Sequence, residues 1–269
     1  MSNVQAFYDQ NSEAEWARLD QHRTEFAVTM RALHEFLPAA PASILDIGGG
    51  PGRYAIALAQ ESYSVTLADL SKANLDLARE RAGLAGIELV GYRQINALDL
   101  SSFANKCFDA VLLMGPLYHL LAEQERAQAV AEATRVLKPG GTLFASFITR
   151  FAFIRDSAQG YPEWLVENWA YANQILQTGA HDPDDGAKGF TQAYFAYPAE
   201  VEPLMAAAGL QPLVLIGCEG IVAGHEARVN TLAGEAWERW VDLNYRLGKD
   251  PTLHGAADHL LYVGRKVVS

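Results

Sequence analysis

Cysteine is scarce in this chain. Cys107 and Cys218 are the only two among 269 residues, far apart and in no CxxC or Cys/His spacing. A disulfide scaffold or structural zinc site is therefore unsupported, and two small core thiols in a reducing compartment are the simpler reading. Basic residues are also few, 21 Lys and Arg against 32 Asp and Glu, leaving a net charge of -11. Binding a phosphate backbone takes clustered lysine and arginine, and no such cluster occurs, so no nucleic-acid partner is expected. No apolar run approaches the roughly 18 residues that would cross a bilayer. The opening MSNVQAFYDQNSEAEW has neither the basic start nor the apolar stretch of a secretory signal. A cytoplasmic protein with no membrane partner is the expectation. His225, His254 and His259 are scattered without an i, i+4 pair, so no metal site is expected. The acidic stretch beginning at His181 fails as a calcium loop, because the final glutamate position counted from Asp182 falls on Ala193.

What is present is apolar: half of the residues are hydrophobic, enough for one substantial α/β core and an extra lobe. Residues 11–37 read as helix, with Trp16, Leu19, Phe26, Met30, Leu33 and Leu37 near helical spacing. From Ser43 onward, short Val/Ile/Leu runs alternate with helical patterns. Strands are predicted at about 43–47, 64–68, 87–93, 108–114, 141–148, 212–218 and 259–267. Helices are predicted at about 52–60, 71–82, 122–137, 199–208 and 226–247. Fully apolar strands separated by helices mean a mostly parallel sheet covered on both faces. The rhythm breaks at 151–197, an aromatic insert carrying Trp164, Trp169, Tyr171, Tyr194 and Tyr197 and a loop at 181–189. It follows the fifth strand, near the carboxyl edge where open α/β sheets bind ligands.

The sharpest local signal is ILDIGGGPGRYAIALA at 44–59: an apolar strand, a glycine-rich loop, then a helix near Arg53. Glycines there allow positive φ and close backbone approach to a ligand, beside the free amides of a helix start. A dinucleotide fingerprint placed on Gly48 and Gly50 would need a third glycine at position 53, which is Arg53. What stands here is Asp46-x-Gly48-x-Gly50-x-Gly52, which resembles the first motif of class I S-adenosylmethionine-dependent methyltransferases. The segments SVTLADLSKANLDLARE (64–80), YRQINALDLSSF (92–103), CFDAVLLMGPLYHL (107–120) and RVLKPGGTLFASF (135–147) follow in the family's order. The resemblance is strong over 43–148 and weaker toward both ends.

The resemblance implies a Rossmann-like, doubly wound sheet of seven strands with an antiparallel last strand. It would comprise a helical lid over 1–40, a cofactor-binding core over 41–150, an acceptor-side insert over 151–197 and remaining core over 198–269. It implies S-adenosylmethionine as cofactor, held by Asp46, Gly48, Gly49, Gly50 and Gly52. Asp69, with Leu70, is placed at the ribose hydroxyls. Asn96, Ala97 and Leu98 are placed at the adenine, with Asp99 as the competitor for that role. Met114 is placed at the methionine end. In the lid, Tyr8 would lie near the methyl, and Arg18 or Arg23 would meet the cofactor carboxylate. Lys138-Pro139-Gly140-Gly141 is a structural turn feeding the fifth strand.

Methyl transfer from a sulfonium needs an acceptor atom held in line and water excluded, with a base only where the acceptor carries a proton. His119 and Tyr118 are the acceptor-side candidates, His119 as a neutral base. Gly115-Pro116-Leu117-Tyr118 lacks the polar residue and second proline of nucleobase amine methyltransferases, which points to a small-molecule acceptor. A nicotinamide oxidoreductase or a non-catalytic cofactor-binding protein are the alternatives. Acceptor identity and oligomeric state stay open.

Overall fold

In a computed structural model, residues 3–183 and 190–268 are described, without the side chain of Leu19. The loop expected at 181–189 lies, from residue 184 on, outside the described residues.

Two helices come first, α1 (Asn3–Gln21) and α2 (Arg23–Phe36). Then follow β1 (Ser43–Ile47), α3 (Arg53–Gln60), β2 (Ser64–Asp69), α4 (Lys72–Leu84), β3 (Gly91–Gln94), β4 (Phe108–Leu113), α5 (Glu123–Val136) and β5 (Leu137–Thr149). The insert folds as α6 (Ala152–Gly160), α7 (Trp164–Glu167), α8 (Trp169–Thr178), β6 (Ala180–His181) and β7 (Ala193–Ala196). The chain closes with α9 (Pro198–Ala207), β8 (Leu210–Gly217), α10 (Glu226–Val229), α11 (Gly234–Gly248) and β9 (His259–Lys266).

The sheet runs β3-β2-β1-β4-β5-β9-β8, with β9 antiparallel to both neighbours and the other pairings parallel. This is the expected seven-stranded frame with one reversed strand. The insert adds two short strands: β7 pairs in parallel with the end of β5, and β6 pairs antiparallel with β7.

One face packs Val130 and Ala133 of α5 and Val201 and Met205 of α9 on Val111, Leu143 and Tyr262. The other packs Val28 and Leu33 of α2, Leu58 of α3, Leu75 of α4 and Val241 of α11 on Ile44, Leu67 and Phe144. Ile44, Leu45, Leu67 and Val111 are all 0% exposed, each contributing about 1.5–3 kcal/mol on removal from water. Burial on both faces explains why these strands read as unbroken apolar runs.

Two helices expected to be continuous are broken. The stretch 11–37 divides at His22, which leaves helical geometry (φ -101°, ψ 52°), and α1 also kinks at Asn11. Residues 226–247 divide before Gly234, where Ala233 is extended and Gly234 takes φ +55°. The third strand begins later than expected, because Ile87–Val90 approach it as coil. No described helix is long and apolar enough to cross a membrane.

Candidate cofactor and acceptor site

The carboxyl ends of β1, β2, β3 and β4 open into one cavity of about 270 Å3, roofed by α1. β1 delivers the glycine loop, whose Gly48 amide donates to the Ala68 carbonyl at 2.7 Å and so fastens it to β2. Gly48 has φ +70°, and a side chain there would meet Pro116 at 2.5 Å. Gly50 has φ +55°, and the nearest atoms to a Cβ there are Glu15 Cγ at 3.7 Å and Asn74 Nδ2 at 3.8 Å. Its missing side chain leaves the loop backbone bare to the cavity, the fit a closely approaching ligand requires.

Asp69, at the end of β2, is held by the loop it faces. Its Oδ2 accepts from the Gly50 amide and its Oδ1 from the Ser71 amide, both at 2.8 Å, with Asn74 Nδ2 at 3.4 Å. The sequence leaves Asp69 open as either cavity acid or helix cap. Here Ser71 caps α4 through its own hydroxyl, while Asp69 both braces that cap and lines the cavity. Burial raises the Asp69 carboxyl to about 6, against the lowering effect of those amide bonds.

Beyond β3, Asn96 lines the cavity with Ile95, Ala97 and Leu98. Asn96 Oδ1 accepts from the Leu98 amide at 2.9 Å, closing a tight turn. Asp99, the competitor, points out of the cavity and accepts from the Ser101 amide instead. After β4, Met114 and Gly115 lead into a short turn of helix, Pro116–His119, that carries Tyr118 and His119. Arg126 fixes that turn by donating to the Leu120 and Leu121 carbonyls, both at 2.8 Å.

His119 is 8% exposed, and burial lowers it to about 4. Its Nδ1 lies 3.0 Å from the Gln192 carbonyl and its Nε2 2.8 Å from the Tyr8 hydroxyl. Tyr118 and Phe190 pack against its ring, with centroids 4.8 and 5.5 Å away. Burial raises the Tyr118 hydroxyl.

The remaining candidates divide. Gly49, Leu70, Tyr8 and Arg18 line the cavity. Asp46 and Gly52 do not. Asp46 is fully buried beneath the loop, so close that a side chain on Gly49 would meet its Oδ2 at 2.4 Å. Both its oxygens lack a hydrogen-bond partner, and burial, then the Asp69 charge, raises it to about 7. A buried carboxylate without partners calls for positive charge close by. Gly52 is the residue before α3, with φ +86°, where a side chain would meet Ala78 Cβ at 3.2 Å. Arg23 is turned away, stacked 4.1 Å over Trp237 and donating to the Asn230 and Leu232 carbonyls.

Arg18 is already paired: its guanidinium meets Glu25 at 2.7 Å and Glu15 at 3.0 Å. Burial pushes the Glu25 carboxyl up, but Arg18 and His259 outweigh it and hold it low. His259 Nδ1 lies 2.6 Å from Glu219 Oε1, and both glutamates hold His259 above its ordinary value despite burial. Glu25, Glu219 and His259 thus come together although the sequence spacing shows no such cluster. Arg18 and the charged His259 already satisfy these carboxylates.

Several lining residues escape the sequence reading. Glu15 sits one turn before Arg18, an i, i+3 spacing that was available as a signal. Arg53 lines the cavity beside the loop, held over Trp16 at 4.8 Å and paired with exposed Asp20 at 2.8 Å. Among the described residues of the insert, Gln192 reaches the cavity lining, and nothing in its sequence surroundings marks it. The insert aromatics Phe153, Trp164, Tyr171 and Phe195 pack instead on one another and on His181.

A family model described as a methyltransferase domain matches residues 45–145. A ubiquinone biosynthesis O-methyltransferase of Thiobacillus denitrificans is 32% identical over 180 residues, covering 67% of this chain and 69% of that protein. The chain belongs to the class I S-adenosylmethionine-dependent methyltransferase family. An enzyme of the same name from Stutzerimonas stutzeri is 31% identical over 154 residues, 56% of this chain and 60% of that one. The match thus spans about half to two thirds of the length of such relatives. Among solved structures, the 1,6-didemethyltoxoflavin-N1-methyltransferase of Burkholderia thailandensis, which carries bound S-adenosylhomocysteine, aligns with a TM-score of 0.59. The two are 15% identical, over 98% of this chain and 88% of that one, a likeness of fold. In this methyltransferase-family chain, Asp69→Ala is expected to weaken S-adenosylmethionine binding by about 1.5–3 kcal/mol, the worth of hydrogen bonds to a charged group. Titration calorimetry on the folded variant checks this, and unchanged affinity would detach Asp69 from the ribose.

Proposed function

We propose that this protein binds S-adenosylmethionine in the cavity and methylates a hydroxyl of a small aromatic molecule, with His119 as the base. The observation that carries the reading is a neutral, buried His119 facing the same cavity as the bare Gly50 backbone and Asp69. When bound, the cofactor supplies a methyl already activated on a sulfonium, so no protein nucleophile is required. Asp69 would hold the ribose hydroxyls, Asn96 and the Ala97 amide the adenine, and the loop amides the methionine chain beyond the ribose. Arg53 and Arg18 supply positive charge for the carboxylate end, Arg53 being the freer because its partner Asp20 is exposed. Asp69 in the lining, with Asp46 buried beneath the loop, complements the net positive charge of the ligand. Tyr8, Tyr118 and Phe190 surround His119 with flat apolar faces suited to a planar acceptor. α1 contributes Val4, Tyr8, Glu15 and Arg18 to the cavity wall, a cover of the kind that limits water at the reacting atoms. The O-methyltransferase names of the relatives support a hydroxyl acceptor.

Incubating the protein with methyl-labelled cofactor and a panel of phenols, catechols, amines and thiols tests the reading. Label on oxygen is expected. Tight cofactor binding with no label on any acceptor would make it a binding protein instead.

The two buried acids also set a pH dependence. Asp46 near 7 and Asp69 near 6 hold protons more tightly than in the unfolded chain. Their contribution to stability is therefore present at low pH and drains away as pH rises through 6–7. A cationic ligand favours the carboxylates, so those protons must leave when it binds. Affinity is expected to climb between pH 5 and 8, with proton release visible as a buffer-dependent binding enthalpy. A flat affinity over that range would contradict it.

A further inference from the structure

The hydrogen bonds around His119 have a direction, and it brings the lid into the chemistry. The Gln192 carbonyl is an acceptor only, so His119 Nδ1, 3.0 Å away, must carry the ring proton. Nε2 then holds a lone pair, and the Tyr8 hydroxyl at 2.8 Å must donate to it. With its hydrogen so committed, Tyr8 Oη keeps its lone pairs for the cavity that Tyr8 itself lines. The Gln192 side chain closes the bracket, its Nε2 donating to the His119 carbonyl at 3.2 Å. His119 is thus gripped at main chain and ring by one insert residue, and at its other nitrogen by α1.

We propose that the methyl acceptor donates its hydroxyl proton to Tyr8 Oη, and that Tyr8 passes its own proton to His119 Nε2. This rests on the reading of His119 as the base and gives Tyr8 a role toward the acceptor rather than the cofactor alone. In the transfer, the acceptor oxygen takes the methyl as the sulfur–methyl bond breaks, with that electron pair staying on sulfur. The acceptor O–H bond breaks and a new O–H forms on Tyr8. The original Tyr8 O–H bond breaks and an N–H forms on His119. Charge balances: the sulfonium is neutralised and the imidazole becomes cationic. Turnover then requires α1 docked, because the relay is complete only while Tyr8 reaches His119. An acceptor lacking an X–H group has no proton to give the relay.

The test has one arm independent of activity. Nitrogen NMR of the histidine-labelled full chain is expected to show His119 with the proton on Nδ1 through neutral pH. In Tyr8→Phe, the Nε2 resonance is expected to move toward that of an imidazole without a donor. A proton found on Nε2, or an Nε2 signal indifferent to Tyr8→Phe, overturns the relay. The second arm compares Tyr8→Phe and His119→Ala with catechol and phenol as probes, using S-adenosylhomocysteine affinity as the control for fold and cofactor site. Tyr8→Phe is expected to lower kcat roughly a hundredfold, the scale of general acid–base catalysis, with cofactor-product affinity within threefold. Full turnover by Tyr8→Phe beside an inactive His119→Ala removes the relay and keeps the base. Full turnover by His119→Ala removes the base and the relay with it. An affinity that falls in step with activity in Tyr8→Phe returns Tyr8 to the cofactor.

Discussion

Gly50→Val is expected to leave a folded protein with no measurable affinity for S-adenosylmethionine. The position has φ +55°, and around a Cβ built there the nearest atoms lie 3.7 Å or more away. Nothing in the fold itself therefore objects to a side chain on packing grounds. A β-branched residue in this left-handed region costs of order 1–3 kcal/mol in backbone strain, and its methyls would stand in the space a ligand must use to reach the loop. The strain also tilts the Gly50 amide away from Asp69 Oδ2, now 2.8 Å away, loosening the acid placed at the ribose. Gly50→Ala should show a smaller loss, because it adds one methyl and no branching. Calorimetry with circular dichroism as the fold control checks the pair. Binding by the valine variant within tenfold of the parent would mean that the ligand approaches elsewhere.

His119→Ala is expected to lower kcat by about 10²–10⁴-fold, the range of a removed general acid–base group, while cofactor affinity changes little. His119, Gly50, Asp69 and Asn96 all line one cavity, and on the proposed reading His119 serves the acceptor whereas the other three serve the cofactor. The parent's kcat should be flat through neutral pH and fall only on acidification toward about 4, where the free imidazole becomes charged. A kcat that instead rises through pH 6–7 would mean that a different group, or a less buried histidine, takes the proton. Steady-state kinetics over pH 4–9 with a catechol probe separates these outcomes.

The sheet was legible because its central strands are covered on both faces and so carry continuous apolar runs; Ile44, Leu67 and Val111 are examples. The ribbon β6/β7 was not, since two and four residues of ordinary composition form strands only by pairing with one another and with the end of β5. The break at His22 has no proline or glycine to announce it; it lies between Arg18 and Glu25, whose ion pair spans the two helices. Gly234 did stand in the sequence, but a single glycine within a periodic pattern is compatible with helix.

At the site, local motifs foretold Gly48, Gly49, Gly50, Asp69, Asn96 and Met114 in the cavity lining, though not Gly52 outside it, because spacing along one strand and its loop determines where those residues emerge. Asp46 belongs to the same motif yet sits one layer below, a depth that spacing does not encode. Gln192 and Glu15 reach the cavity through tertiary packing of the insert and lid, and Arg53 through stacking on Trp16 of α1. Arg18 was expected free for a carboxylate, but the fold brings Glu25 to it from the next helix.

A crystal structure grown with S-adenosylhomocysteine probes the account at its root. The ribose hydroxyls are expected on Asp69, the adenine against Asn96 and Ala97, and the sulfur facing Tyr8 and His119. Density for the ligand in another place, with Gly50, Asp69 and Asn96 around an untouched cavity, would contradict it.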